Sequence, residues 1–244
     1  QHKIPITIRM IVGRGWGQGP THSQNLQALF AHIPGLKVVL PATPYDAKGL
    51  LLSSIFDDNP VIFIEHRWLH NMEGDVPEND YRVEIGKSSQ ITEGNDITIV
   101  SMSYMTVEAI HAVEILKNHG INCDLIDLRT VKPIDWSSIH KSVKKTGRLL
   151  ILDTGVTEGS IAGEIIANVC ENCWNDLKDQ PKRICLPDIP TPTSFSLTKA
   201  YYKRSEEIIN TVSQLLGHNL DGFALVDRKE LPHDVPGDWF KGPF

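Results

Sequence analysis

From residue 97 onward the chain alternates between short apolar runs and stretches of helical period, and few folds accommodate that order. The runs at 97–102, 121–126, 149–152 and 183–186 are largely apolar and show no clear alternation with polar residues. Continuous runs belong in a sheet covered on both faces, and such sheets are mostly parallel, each strand followed by a crossover helix. The segments 106–118, 135–145, 160–173 and 197–216 carry the helical period, and Gly120 and Gly147 stand where the first two helices should stop. The first third repeats the theme, with strands predicted at 4–10, 37–40 and 61–65. Leu26, Leu29, Phe30 and Ile33 fall on one face of a helix. Thr43 caps a second helix, with Pro44 in its first position and Ala47, Leu50, Leu51 and Ile55 along it. The expectation is an α/β fold with a mostly parallel sheet flanked by helices.

The polar stretch 72–95, with Pro77, Gly86 and Gly94, reads as a linker between a unit at 1–71 and one at 96–217. Residues 218–244 carry Gly222, Pro232, Pro236, Gly237 and Pro243 without a period and read as an irregular tail. Trp239 and Phe240 are its apolar anchors, if it has any. The chain starts at Gln1 and is strand-like by Ile4, which predicts a processed or engineered fragment. A net charge of -6 disfavours nucleic acid and suits a basic protein partner. No apolar run approaches the roughly 20 residues of a membrane span, and no secretory signal is visible. Four cysteines in 244 residues make no disulfide framework and fit a reducing compartment. Cys170 and Cys173 form a CxxC pair inside a helical pattern, without the second pair or histidines that zinc needs. They read as small core residues.

Residue types that carry chemistry gather at a few places. Gly13, Gly15, Gly17 and Gly19 alternate through a loop that ends in Pro20-Thr21-His22-Ser23. A glycine-rich loop before a helix can cradle an anion, but this spacing is neither the dinucleotide fingerprint nor the P-loop, and a plain surface loop explains it as well. His22, where loop meets helix, is either a proton-handling imidazole or a surface or capping residue. Asp57-Asp58-Asn59-Pro60 is either a turn holding a hard cation or a simple helix-ending turn. Glu65-His66-Arg67 stands at the carboxyl end of a strand, where parallel sheets place their sites, though a solvated charged loop would look the same.

Read together, several long stretches resemble one family. "HSQNLQALFAHIPGLKVVLPATPYDAKGLL", "DDNPVIFIEH", "YRVEIGKSSQITEGNDITIVSMSYM" and "DLRTVKPID" occur in the order found in beta subunits of 2-oxo acid dehydrogenase complexes. These are the decarboxylating components of the pyruvate, branched-chain and acetoin types. "TGRLLILDTGVTEGSIAGEI" and "PDIPTPTSFSLTKAYYKRSEEII" continue the match, which covers about residues 4–216.

The resemblance implies a transketolase-like architecture. Residues 1–71 would be the later half of a pyrimidine-binding domain, followed by a transketolase C-terminal-like domain. It implies thiamine diphosphate and magnesium as cofactors, with the diphosphate and the metal on an alpha subunit or an N-terminal half. The glutamate that bonds the aminopyrimidine would precede Gln1, so the chain alone is expected to be inactive. His22 matches the histidine that faces the reacting carbon and assists transfer to lipoate, although Thr21 replaces the usual Gln. Main-chain oxygens of Ile6, Ser54, Asp57 and Asn59 would hold potassium by the same resemblance. Expected partners are the subunit carrying the diphosphate site, a second beta chain and the acyltransferase core. The expected compartment is the bacterial cytoplasm or the mitochondrial matrix. The alternatives are a transketolase-type sugar-phosphate enzyme and a free-standing, noncatalytic docking module.

Overall fold

A computed structural model describes residues 3–13 and 18–226, which fold as two α/β layers sharing one strand. The first unit contains β1 (Thr7–Val12), α1 (Gly19–His22), α2 (Gln27–Ala31), β2 (Lys37–Val39), α3 (Pro44–Ile55) and β3 (Val61–His66). The second contains β4 (Ser89–Thr92), β5 (Ile97–Ser101), α4 (Tyr104–Asn118), β6 (Cys123–Asp127), β7 (Thr130–Lys132) and α5 (Trp136–Thr146). It continues through β8 (Leu149–Val156), α6 (Ile161–Cys173), β9 (Lys182–Leu186), α7 (Phe195–Thr198), α8 (Ser205–Leu215) and α9 (Gly222–Leu225).

The larger sheet runs β4-β6-β5-β8-β9 and is parallel except for β4, which pairs antiparallel with β6. The smaller runs β1-β3-β2-β7, and its last strand comes from the second unit, antiparallel to β2. The continuous apolar runs become central strands: every residue of β5 and of β6 is buried. Val38, Leu40, Ile62 and Ile64 of the first unit pack in one cluster with Val100, Leu128, Val131 and Ile151 of the second. Such shared burial ties the two units together, since each buried aliphatic side chain contributes about 1.5–3 kcal/mol.

Capping follows the sequence closely. The Thr43 hydroxyl accepts from the Asp46 N–H (3.1 Å). Ser160 caps α6 by accepting from the Gly163 N–H (3.2 Å). Gly147 ends α5 in the left-handed conformation, at φ +76°.

The structure departs from the sequence reading in several places. Strand β1 begins at Thr7 instead of residue 4. The helix predicted from Leu26 to Ile33 shortens to α2. Residues 89–92, read as linker, form β4, and β7 was not foreseen. The long helix predicted over 197–216 is two helices, α7 and α8. The break exists because buried Tyr201 bonds Thr191 (3.0 Å), and Arg204, in extended backbone, reaches across to Glu108. Within the stretch read as tail, α9 packs back on α8, and the Gly222 N–H bonds Asn210 (2.6 Å). The tail anchors Trp239 and Phe240 and the glycine-loop residues Arg14–Gly17 lie outside the described residues.

Candidate active site

His22 ends α1, and its segment is fixed to the second unit at both ends. Gly19 has φ +58°, and a Cβ there would stand 2.3 Å from Thr193 Oγ1, so only glycine lets this backbone settle on the loop after β9. At the other end, Gln27 is fully buried. Its Nε2 donates to Asp153 Oδ1 (2.7 Å) and to Thr154 Oγ1 (3.1 Å), both on β8. Asp153 also accepts from the N–H groups of Gly155 (2.8 Å) and Ala162 (3.2 Å), at the start of α6. Burial pushes the Asp153 carboxyl above its ordinary range, against the opposing effect of those hydrogen bonds. Between the anchors the His22 side chain is exposed. Its sequence neighbours Pro20, Gln24 and Asn25 line, with Thr154, Asp188 and Tyr201, a cleft of about 510 Å³.

The second cluster lies at the carboxyl end of β3. Glu65 is bonded twice by Arg9 of the neighbouring strand (2.9 and 2.8 Å). His66 is buried, whereas the sequence left open a solvated loop. Its Nδ1 accepts from the Trp68 N–H (3.2 Å), and its ring stacks on Tyr104 at 5.2 Å. A Cβ on Gly13 would stand 2.3 Å from His66 Nε2, so the start of the glycine loop lies flat against this ring. Burial, assisted by His70, drives the His66 pKa down to about 3, so it stays a neutral imidazole at working pH. Beyond Tyr104 lies a buried ionic network. The Tyr104 hydroxyl donates to Glu108, Arg204 pairs with Glu108 (3.3 Å), and the Ser205 N–H donates to Glu108 (2.9 Å). The Arg204 guanidinium lies 5.2 Å from the centre of the Trp68 ring.

A third group bridges the two units. Arg129, at φ +58°, pairs with buried Asp46 of α3 (2.8 Å). Next to it Asp127 accepts from Thr106 Oγ1 and the Arg129 N–H (both 3.2 Å), while its second oxygen has no hydrogen-bond partner among the described residues. Burial raises the Asp127 pKa to about 7, and nearby Asp46 adds to the rise. The folded protein therefore holds a proton that the unfolded chain releases near pH 4. Stability from this group is complete below about pH 4 and declines as the pH climbs toward 7, by at most about 1.4 kcal/mol per unit. The D127N variant should flatten that slope, as followed by urea midpoints between pH 4.5 and 7.5. An unchanged slope would refute the assignment.

The residues read as a potassium site lie on the turn after α3 and beside the start of β1. The Ser54 carbonyl accepts from Thr7 Oγ1 (2.9 Å) and from the Asp57 N–H (3.3 Å), and the Ile6 carbonyl accepts from the Val61 N–H (2.8 Å). The Asp57 carboxylate takes Lys37, together with the N–H and side-chain amide of Asn59 (both 2.9 Å). Burial opposes the Asp57 charge, but these donors outweigh it and hold the carboxyl below its usual range. The protein's own donors thus already occupy much of this acceptor set. Among the described residues no group of three or more His, Cys, Asp or Glu is placed to hold a metal ion. No described helix is long and apolar enough to cross a membrane.

Sequence reasoning missed Gln27, Asp153, Glu108 and Arg204. Faint signals existed: Asp153 ends an apolar strand, and Glu108 interrupts an apolar turn of α4.

Two α/β units, one lending a strand to the other's sheet, with polar groups buried between them, make up the architecture, and comparison gives it a family. The family described as "Transketolase, C-terminal domain" matches residues 86–208, and "Transketolase, pyrimidine binding domain" matches residues 1–72. The chain belongs to this transketolase-like family, on the branch of the 2-oxo acid dehydrogenase beta subunits. It is 41% identical over 206 residues to the acetoin:2,6-dichlorophenolindophenol oxidoreductase subunit beta of Cupriavidus necator, covering 84% of this chain and 61% of that protein. It is 38% identical over 219 residues to the pyruvate dehydrogenase E1 component subunit beta of Mesostigma viride, covering 90% and 67%. The 2-oxoisovalerate dehydrogenase subunit beta of Bacillus subtilis is 38% identical over 213 residues, covering 86% and 65%. The chain thus spans roughly three-fifths to two-thirds of the length of these relatives. A solved structure titled "Split gene transketolase, inactive beta4 tetramer" shares the fold at TM-score 0.72 and 21% identity, covering 88% of this chain and 67% of that one.

Proposed function

We propose that the chain serves as the beta-type part of a thiamine-diphosphate-dependent 2-oxo acid dehydrogenase, in which a 2-oxo acid loses carbon dioxide and its acyl group passes to a lipoyl arm. The observation that carries this reading is the exposed His22, pinned between Gly19 and Gln27 on the second unit, within a chain about 40% identical to such subunits. When bound, thiamine diphosphate supplies the nucleophilic carbon and the electron sink for decarboxylation. The cleft at the carboxyl end of β3, lined by Thr43, Glu65, His66 and His70, is only about 200 Å³. That is smaller than the roughly 300 Å³ or more of a cofactor pocket. Magnesium and the diphosphate belong, by resemblance, to an alpha-type partner. Potassium at the main-chain oxygens of Ile6, Ser54, Asp57 and Asn59 rests on the resemblance alone, and the Ile6 and Ser54 carbonyls already accept from the protein's own donors.

What this chain's own residues do is narrower. His22 holds a proton at the oxygen of the reacting carbonyl and helps pass the acyl group onward. His66, kept neutral by burial, packs against Gly13. The second unit supplies the frame on which a second beta chain and the acyltransferase core would dock.

The test combines the chain with an alpha-type partner, thiamine diphosphate and magnesium, and follows carbon dioxide release from pyruvate, 2-oxoisovalerate and their longer analogues. Cofactor-dependent release from at least one of these acids is expected. Turnover of ketose phosphates in place of 2-oxo acids would support the sugar-phosphate alternative and refute this reading.

A further inference from the structure

We infer that Gln27 and Asp153 form a positioning clamp for His22, through which the second unit sets the place of the histidine carried by the first. The inference rests on the reading of His22 as a catalytic residue.

The contact joins residues 126 positions apart, and both side chains are buried. Asp153 keeps a carboxylate out of water among bonds from an amide and from backbone N–H groups. Such an arrangement is a poor way to gain stability. A buried hydrogen bond between side chains contributes little net stability, because each group gives up its bonds to water, and an apolar pair of similar shape can do as well. A directional bond does offer a single geometry, because a carboxylate oxygen 2.7 Å from an amide nitrogen tolerates little sliding. Gly155 preserves the necessary room, since a Cβ there would stand 3.1 Å from Gln27 Nε2. The clamp also meets a load-free partner on one side only: among the described residues Gln27 Oε1 has no hydrogen-bond partner, so the amide is oriented by its donor end.

The clamp's position gives it leverage. Gln27 opens α2, and His22 ends α1, so only a short connection separates them. Among the described residues α1 and α2 show no side-chain cap that would fix them locally. Their placement therefore comes from outside, at Gly19 against Thr193, at Gln27 against Asp153, and through the packing of Ala31 in the apolar cluster. Asp153 in turn is held by the start of α6, whose Ala162 N–H donates to it. Loosening the clamp removes one restraint on the segment while leaving the apolar contacts of Ala31 in place, and small misplacements of a reacting group are costly.

The experiment is a double-variant cycle in the assembled enzyme, with Gln27→Leu made in the wild-type and His22→Ala backgrounds. In the wild-type background Q27L should lower kcat about tenfold with KM for the 2-oxo acid within about twofold. In the H22A background it should lower kcat no further. Equal losses in both backgrounds, or none in the wild type, would overturn the inference. Thermal melting of Q27L separates misfolding from misplacement, and the His22 imidazole resonance, assigned by its absence in H22A, reports the placement directly. A resonance that shifts or broadens in Q27L supports the clamp even if H22A proves fully active, an outcome that would refute only the catalytic reading. A resonance unchanged by Q27L would refute the clamp itself.

Discussion

Replacing Glu108 with alanine should cost about 3–5 kcal/mol of stability, the largest effect expected of any single substitution in the second unit. The reason is the partner left behind. Glu108 and Arg204 are both buried, and Glu108 receives the Tyr104 hydroxyl and the Ser205 N–H as well as the guanidinium. Removing the carboxylate takes from the buried Arg204 cation its ion-pair partner at 3.3 Å and deprives the start of α8 of an acceptor. A Glu108→Met, Arg204→Met double variant should recover much of the loss, because a buried ion pair and a packed apolar pair are often close in stability. Chemical denaturation of the two single variants and the double decides this. An E108A cost below about 1 kcal/mol would show that the pair is far better solvated than its burial implies.

His22→Ala should leave the fold almost untouched and reduce acyl transfer on the order of 10²-fold, the usual scale for losing one positioned acid–base group. The side chain is exposed, so little packing is lost with it. Steady-state transfer to a lipoyl domain is the informative assay, paired with a melting curve. An intact melting midpoint with a large loss of rate supports the assignment, whereas full activity would return His22 to an ordinary surface residue.

Much of the fold was legible because local rules and burial agreed. Thr43 and Pro44 announced α3, Gly147 announced the end of α5, and continuous apolar runs announced β5, β6 and β8. The misses share one cause: contacts that local sequence does not encode. Strand β7 is three residues long and exists by pairing with β2 of the other unit. Strand β4 lies in a polar stretch and is specified by β6. The helix predicted over 197–216 breaks where Tyr201 and Arg204 find buried partners far away in sequence.

The site was legible to a lesser degree. His22 and the Asp57 turn stood out as residue types, and the family resemblance gave them roles. The arrangement that holds His22 did not stand out, because Gln27 looks like an ordinary helix residue and Asp153 like the end of a strand. Only the fold brings them within 2.7 Å. Similarly, nothing in the string Glu65-His66-Arg67 announces that the imidazole is buried against Gly13 and neutral, since that follows from packing alone.

The most direct test of the functional account is a single-turnover omission experiment. Chain, alpha-type partner, thiamine diphosphate with magnesium, and a lipoyl acceptor are mixed with a 2-oxo acid, and acylated lipoyl product is measured with each component left out in turn. The account expects product only when this chain, the partner and the cofactor are all present. Undiminished product without this chain, or no product from any 2-oxo acid when the set is complete, would contradict it.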